Sequence, residues 1–428
     1  MNALRTAPLL ATAAAIFAAQ SSDAAQVHSH QKIFDGGAPG QHSFRIPSLV
    51  RAKNGDLVAI AECRKNSPGY FGDININFRI STDNGENWGD MGEVVGVGAG
   101  SWTNPTAVVD VKGTGRIWLF FNWNAADITS VAQVDTWGER KVYACYSDNN
   151  GVKWSIPADM TATLVPQTYT WDTIGPGNGI QLTVAHPGWM VIPAMGRNIY
   201  TSDSGQTWRL QLLEGSRSES TVVEMVDGSI LRNDRPTGSQ SLHRYLATGR
   251  IGDSFGPFAP NESLPDPGCQ GSSVRYNIGK PVSRIIFLNS SSTTDRNHMT
   301  VHMSYDEGAT WPVSRPVYDW LSDSESAAQG KGGYSSMIKV GTPASGFSVG
   351  ALIEINEGGV DQHRSIDFHR FNLEWIRNGA PEPGVKASPK EAAVADPEPV
   401  ATQPFIVNPL STATVTPMLP PNPSGKNG

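Results

Sequence analysis

One short pattern recurs four times along the 428-residue chain and constrains its fold more than any other feature. It reads Ser/Thr-x-Asp/Asn-x-Gly-x-x-Trp. In such a turn the carboxylate or amide accepts backbone hydrogen bonds, glycine supplies an unusual dihedral angle, and tryptophan packs the turn down. Each copy follows a strand-like run, so each marks a β-hairpin. The copies are STDNGENW (81–88), SDNNGVKW (147–154), TSDSGQTW (201–208) and SYDEGATW (304–311).

We interpret these four turns as structural, because identical turns at irregular separations cannot all be active sites. Their key side chains are Asp83, Asn149, Asp203 and Asp306, and the asparagine keeps an Asx-type turn. Short alternating runs between turn signals fill residues 43 to 375, without sustained helical periodicity. The 44 glycines and 30 prolines also favour strands and turns. An all-β radial array of four-stranded blades fits a repeating segment of roughly 350 residues.

The two ends of the chain differ from this middle part. Residues 1–25 contain an early Arg5, an apolar centre and small residues up to Ala24 and Ala25, which is typical of a secretory signal peptide. We therefore predict a secreted or periplasmic protein without an integral membrane span after processing. Residues 26–378 form the predicted β domain. The Pro- and Ala-rich segment 379–428 is predicted to be a disordered tail.

Composition excludes several function classes. A net charge of −7 argues against a nucleic-acid partner, whereas an acidic protein can still bind an anion through locally focused arginines. Three cysteines, Cys63, Cys145 and Cys269, leave at least one without a partner in the chain. Since no CxxC or Cys/His motif is present, we predict neither a metal nor a cofactor. The segment HSH at 28–30 is interpreted as a solvated start of the domain.

The segment FRIP (44–47), followed by the four turns, resembles the bacterial-type exo-sialidases (neuraminidases), in which the turn is called the Asp box. The resemblance extends from about His42 to Phe371. It implies a six-bladed β-propeller with four-stranded antiparallel blades. It also implies a retaining exo-α-sialidase that hydrolyses terminal sialic acids of glycoproteins, glycolipids or oligosaccharides.

Strand ends give a separate reason to expect one site. Arg45 begins a strand, Arg64 ends the next and Asp73 begins the third, so an antiparallel meander brings them to one edge of the sheet. The same reasoning applies to two further pairs of segments, and Arg296 precedes the acid of its Asp box by the same ten residues as Asp73 does. The residues expected at this edge are Arg45, Arg64, Asp73, Glu219, Arg235, Arg296, Tyr334 and Glu354.

The resemblance assigns roles to these residues. Arg45, Arg235 and Arg296 match the arginine triad that holds the carboxylate of sialic acid, to which paired guanidinium donors are well suited. Glu354 matches the acid that steadies the first arginine. Tyr334 matches the nucleophile, because a neutral phenol avoids repulsion by that carboxylate. A phenol has an ordinary pKa of about 10 and needs a base, which Glu219 matches.

The remaining assignments are the general acid/base and contacts to the sugar. Asp73 matches the acid/base, although Cys63 replaces the usual glycine and the spacing from Arg64 to Asp73 is longer than in the family. Arg64 resembles the arginine that contacts the 4-hydroxyl, with Asn104 beside it. Gln181 lies in a segment that resembles one bordering the glycerol end.

Four alternatives stay open. The enzyme could transfer sialic acid to another sugar, form an intramolecular anhydro product, or prefer the deaminated sialic acid. A non-catalytic propeller that binds sialoglycans is the fourth, because Asp boxes also occur in such proteins. The joint presence of Asp73, Glu219 and Tyr334 favours an enzyme.

Overall fold

Short β-strands make up most of the described chain. The computed structural model describes residues 25–216, 218–237, 242–278, 282–318, 332–341, 346–357 and 363–383. In chain order the strands are β1 (His28–Phe34), β2 (Ser43–Arg51), β3 (Leu57–Arg64), β4 (Ile74–Ser81), β5 (Gly92–Val95), β6 (Ser101–Val109), β7 (Ile117–Asn124), β8 (Lys141–Ser147), β9 (Ala158–Asp159), β10 (Gly177–Asn178), β11 (Ile180–Gln181), β12 (Met190–Ala194), β13 (Arg197–Thr201), β14 (Arg209–Leu212), β15 (Ser220–Glu224), β16 (Ile230–Asp234), β17 (His243–Gly249), β18 (Ala259–Pro265), β19 (Ser272–Asn277), β20 (Arg284–Ser290), β21 (Met299–Ser304), β22 (Val313–Pro316), β23 (Ser335–Lys339), β24 (Val349–Asn356) and β25 (His363–Phe371). The helices in these ranges are a 3-10 turn (Val131–Gln133), α1 (Thr161–Leu164) and α2 (Leu373–Arg377).

The strands form six four-stranded antiparallel blades. Five are consecutive meanders: β2–β5, β6–β9, β11–β14, β15–β18 and β19–β22. The sixth has the order β23-β24-β25-β1, so the first strand closes the ring against the last. One parallel pair, Ile74 with Ser101, joins the first two blades edge to edge. The predicted six-bladed propeller is confirmed.

Buried apolar side chains fill the spaces between neighbouring blades. Phe44 and Leu57 of the first blade pack with Leu352 and Phe368 of the sixth, for example. Polar bonds join the innermost strands around the axis instead: Leu49 N–H donates to Ser336 Oγ at 2.9 Å. The innermost strands run in one sense along the axis. Their starts therefore lie together at one end of it.

The four Asp boxes lie between the third and fourth strands of blades one, two, three and five. In the first box, Asp83 Oδ1 accepts from Asn87 N–H at 2.9 Å and from Ser81 Oγ at 2.8 Å. In the second, Asn149 Oδ1 accepts the equivalent bond from Lys153 N–H at 2.8 Å. The asparagine therefore replaces the carboxylate as an acceptor without loss of the turn.

The box glycines also explain how neighbouring blades fit together. Gly205 has φ +88°, and a Cβ there would lie 2.4 Å from the side chain of Trp118 in the preceding blade. At Gly85 the same construction meets Phe368 of the sixth blade at 2.1 Å. Each of these glycines thus permits both the turn and close contact with the blade before it.

Several expectations concern the cysteines and the chain ends. Cys63, Cys145 and Cys269 are all free and buried.

The predicted signal peptide up to residue 24, and the predicted tail from residue 384 on, lie outside the described residues. At the C-terminal boundary, Glu382 still pairs with Arg284 of the fifth blade at 2.7 and 2.8 Å, so contacts continue beyond residue 378. No described helix has the length and apolar character needed to cross a membrane.

Candidate active site

The starts of three innermost strands bring charged and phenolic side chains to one end of the axis. Arg45 lies near the start of β2, Glu219 directly precedes β15, and Tyr334 directly precedes β23. Arg235 follows β16, and its N–H donates to the Glu219 carbonyl at 2.8 Å. Arg296 precedes the third strand of the fifth blade. These five residues come from four different blades, and the structure brings them together.

The centre of the site is a hydrogen-bonded trio. Tyr334 Oη donates to Glu219 Oε1 at 2.5 Å, while Arg235 Nη1 donates to the same phenol oxygen at 2.8 Å and to Glu219 Oε2 at 2.5 Å. The phenol therefore has an acceptor for its proton on one side and a cation on the other. Such an arrangement favours proton loss from the phenol when negative charge develops on Oη.

Two more guanidinium groups flank the phenol ring. The Cζ atoms of Arg45 and Arg296 each lie 5.3 Å from the centroid of the Tyr334 ring. Arg296 makes a 3.3 Å bond to the Gly268 carbonyl. Its donors are thus less committed than those of Arg45, which Glu354 binds in bidentate fashion at 2.9 and 3.1 Å.

Glu354 connects the arginine to the nucleophile candidate. Its carboxylate also accepts from Ile46 N–H at 2.7 Å and from Tyr334 N–H at 3.0 Å. Ile46 has φ 55°, an uncommon conformation for a β-branched residue, and this conformation accompanies the bulge that follows Arg45. Burial by itself would raise the pKa of Glu354, but the charge of Arg45 and the hydrogen bonds from Arg45 and the Ile46 backbone act together with other nearby groups to lower it. The carboxylate is consequently a fixed anion.

An open cavity of about 570 Å³ lies against this cluster. Arg45, Arg235 and Arg296 all line it, and so does His363, whose Nδ1 is 3.6 Å from Glu354 Oε2. Burial and the charge of Arg45 hold the pKa of His363 well below its usual value, so the ring is neutral near pH 7. Three arginines beside one neutral imidazole make the cavity wall a binding surface for an anion.

The pKa shifts of Tyr334 and Arg235 indicate that both groups carry their protons. Burial raises the pKa of Tyr334, and the charges of Arg235 and Arg296 only partly offset that effect. Burial by itself would lower the pKa of Arg235, but the charge of Glu219 and the hydrogen bond to that carboxylate act together with other nearby groups to raise it. Tyr334 is therefore a protonated phenol and Arg235 a cation in the resting site.

Asp73 lies at the same edge of the first blade, directly before β4 and next to Arg64 at the end of β3. Its carboxylate pairs with Lys65 Nζ at 2.9 Å and its side chain is 26% exposed. It does not contact the trio in this structure, but its exposure leaves it accessible to a ligand.

Arg64 and Asn104 are closed off from solvent, each with about 1% exposure. Arg64 binds Glu62 through Nε and Nη2 at 2.9 and 2.7 Å, and Glu62 Oε1 accepts from Asn104 N–H at 2.8 Å. Tyr70 lies over both side chains, 5.6 Å from Arg64 by ring centroid and 3.5 Å from Asn104 Oδ1. Because this face is covered, the geometry does not support the predicted contact of Arg64 and Asn104 with the sugar.

The predicted contact of Gln181 with the sugar is corrected by the structure. Its side chain donates to Asp110 Oδ1 at 2.7 Å and to the Gly188 carbonyl at 3.0 Å. It lines a different cavity together with Arg51 and Lys339, which end the innermost strands β2 and β23. Gln181 therefore lies at the opposite end of the axis from Arg45 and Tyr334.

Sequence reasoning missed two residues of this region. His363 reaches the cavity from the start of β25, and Tyr70 covers the buried arginine from the loop before β4. The segment PGYFGD contains a signal for Tyr70, because it places two aromatic residues in the loop between Arg64 and Asp73. His363 carries no comparable signal, because nothing in its own segment indicates that its side chain faces the cavity.

Known proteins resemble this chain in sequence and fold. The family model of the BNR repeat-like domain matches residues 55–344. An exo-alpha-sialidase of Aspergillus fumigatus is 44% identical over 366 residues, covering 79% of this chain and 86% of that protein. An exo-alpha-sialidase of Arthroderma benhamiae is 42% identical with the same coverage. The solved structure of the Hadza microbial sialidase Hz136 superposes with a TM-score of 0.68 at 23% identity, over 81% of this chain and 69% of that one.

Proposed function

The chain belongs to the sialidase family, and from that premise we propose that it is an exo-α-sialidase that cleaves terminal sialic acids with retention of configuration through a tyrosyl intermediate. One observation carries this proposal above all others: the Tyr334 phenol donates to Glu219 at 2.5 Å beside a cavity lined by three arginines. A phenol placed between a base and a cluster of cations suits a substrate whose reacting carbon bears a carboxylate.

Substrate binding rests on the arginines. The carboxylate of a terminal sialic acid would take donors from Arg45, Arg235 and Arg296, and charge-assisted bonds of this kind contribute about 1.5–3 kcal/mol each. Arg45 is held in place by the bidentate pair with Glu354, whereas Arg296 needs to release only the 3.3 Å bond to the Gly268 carbonyl among its described contacts to turn toward the ligand. An anion that binds there lies beside the Tyr334 ring, with its neighbouring carbon within reach of Oη.

The first chemical step is nucleophilic attack by Tyr334. As Oη bonds to the anomeric carbon, its proton passes to Glu219, and the bond to the leaving oxygen breaks. Arg235 stabilises negative charge on the phenol oxygen through its 2.8 Å bond. Burial keeps the phenol protonated until this transfer, so the base is required for the attack.

Asp73 is proposed as the general acid and then the general base. It would protonate the leaving oxygen in the first step. In the second step it would take a proton from water, whose oxygen bonds to the anomeric carbon as the bond to Tyr334 Oη breaks and Oη recovers its proton from Glu219. Its position at the common edge and its exposure support this role, and the ion pair with Lys65 must be released when Asp73 turns toward the substrate.

The natural substrates are proposed to be sialylated glycoproteins, glycolipids or oligosaccharides outside the cell or in the periplasm. The leader-like residues 1–25 support export. No cofactor enters this scheme, since the cations that bind the substrate and the groups that move protons all belong to the chain.

A fluorogenic aryl sialoside tests the proposal directly. We expect release of the fluorophore and of free sialic acid, with the α-anomer as the first product seen by NMR. A protein that binds the sialoside without releasing sugar would be a lectin-like propeller, and a β-anomer as first product would exclude the tyrosyl intermediate. Transferred or anhydro products in the same spectra would identify the alternative reactions.

A further inference from the structure

The closure of the propeller ring brings together three histidines and one aspartate, which are residue types that can bind a metal ion. Strands β1 and β25 pair antiparallel with His30 directly opposite His369. Asp367 lies two residues before His369, and His28 two residues before His30. Alternate residues of a strand share one face, so all four side chains lie on the same face of the sixth blade.

Distances within this group are short. His28 Nε2 is 3.1 Å from His369 Nδ1, and His30 Nδ1 is 3.8 Å from Asp367 Oδ2. One potential ligand atom from each of His30, Asp367 and His369 falls within 4.8 Å of the other two. Residues about 340 positions apart in the sequence thus contribute to one compact group.

The spacing of the first pair fits coordination geometry. Two nitrogens bound to one tetrahedral zinc ion at about 2.0–2.1 Å lie about 3.3–3.4 Å apart. The observed 3.1 Å between His28 and His369 also fits a hydrogen bond with one shared proton, so a divalent cation would take the place of that proton. Three imidazoles and one carboxylate form a donor set that zinc accepts readily.

Burial and a further hydrogen bond position the central ligand. His369 is fully buried, and its Nε2 lies 3.2 Å from Tyr318 Oη. A partner on the second ring nitrogen fixes the orientation of a histidine ligand. The His30 ring is stacked on that of His369, 5.2 Å between centroids, and its side chain is 44% exposed, so an ion from solvent can reach it.

We propose that His28, His30, Asp367 and His369 form a zinc site that fastens the first strand of the propeller to the last. Because β1 is the strand that closes the ring, an ion there would stabilise the whole domain against opening. The segment HSH by itself does not predict a metal site, because the other two ligands come from the far end of the domain.

The test uses the full chain, purified without a histidine tag and stripped of metal with EDTA. We expect one Zn²⁺ to bind per chain in a competition titration against a zinc indicator, and the melting temperature to rise by on the order of 5 °C. Co²⁺ in its place should give the intense visible absorption of a tetrahedral site. His30→Ala and His28→Ala should each weaken zinc binding at least tenfold.

A matched control is His186→Ala, a histidine that stacks on Trp189 in another blade. It should bind zinc and respond in melting temperature as the parent chain does. The two β1 variants change partly exposed residues, so their metal-free melting temperatures should stay close to that of the parent. Absence of zinc binding to the parent chain, or equal binding by parent and His30→Ala, would overturn the proposal.

Discussion

Tyr334 Oη lies 2.5 Å from Glu219 Oε1, although the two residues are 115 positions apart and precede the innermost strands of different blades. Arg235 bonds to both. The trio therefore depends on the ring as a whole: its members meet only because several blades begin at the same end of the axis.

The first prediction concerns the phenol. Tyr334→Phe removes the oxygen that would attack the anomeric carbon but leaves the Glu219–Arg235 pair intact, so the fold should persist. We expect kcat to fall by roughly 10³–10⁶-fold in the fluorogenic assay, with an unchanged circular dichroism spectrum and melting temperature. Tyr200→Phe, which changes a phenol of the third blade, should keep full activity. Normal turnover by Tyr334→Phe would exclude it as the nucleophile.

The second prediction separates two arginines of the cavity. Arg296→Ala should lower kcat/KM by roughly 10–100-fold through loss of a charge-assisted bond to the substrate, with little change in stability. Arg45→Ala should cause a similar loss of activity. It should also lower the free energy of unfolding by about 3–5 kcal/mol, because Glu354 would remain buried and ionised without its partner. Steady-state kinetics measures kcat/KM, and urea denaturation measures the free energy of unfolding. Equal free energies of unfolding for the two variants would contradict the structural role of Arg45.

The third prediction concerns the box glycines. Gly205→Ala places a methyl group 2.4 Å from Trp118 at φ +88°, so it adds a steric clash to backbone strain. Gly188→Ala is the matched control, with φ +97° and no atom within 4 Å of the new Cβ. We expect losses of about 2–5 kcal/mol and about 1–2 kcal/mol, respectively, in the free energy of unfolding. If both variants lose the same amount, close contact between blades is not what requires glycine in the box.

The sequence was sufficient to predict the ring and most of the cluster. The Asp boxes mark equivalent hairpins, and the strand ends place Arg45, Arg235 and Tyr334 at one edge, because an antiparallel meander alternates its ends strictly. Contacts between residues of one blade therefore follow from order along the chain.

The sequence could not predict how loops and short segments pack on the neighbouring elements. Gln181 was expected at the sugar, but its short strand β11 carries it to the other end of the axis. Arg64 was expected to be accessible, but Tyr70 of the following loop covers it. Neither outcome follows from periodicity, since each depends on how one loop packs on a neighbouring element.

The last prediction concerns acid stability. Bonds from the Asn87 backbone and side chain lower the pKa of Asp83 to about 2, and bonds from Thr207 and Thr201 exceed the opposite effect of burial and lower the pKa of Asp203 to about 2. Because these values lie below the ordinary value of 3.8, the ionised carboxylates stabilise the folded state. That stabilisation is complete above about pH 4 and disappears as the pH falls through 2.

Asn149 occupies the same place in the second box and does not titrate, so the chain contains its own comparison. The double variant Asp83→Asn/Asp203→Asn should be slightly less stable at pH 7. Its melting temperature should also fall less steeply than that of the parent between pH 4 and pH 2. Asn149→Asp should steepen the decline instead, since it adds a carboxylate with the same backbone donors. Parallel melting curves for all three proteins across this range would show that the boxes contribute nothing to acid sensitivity.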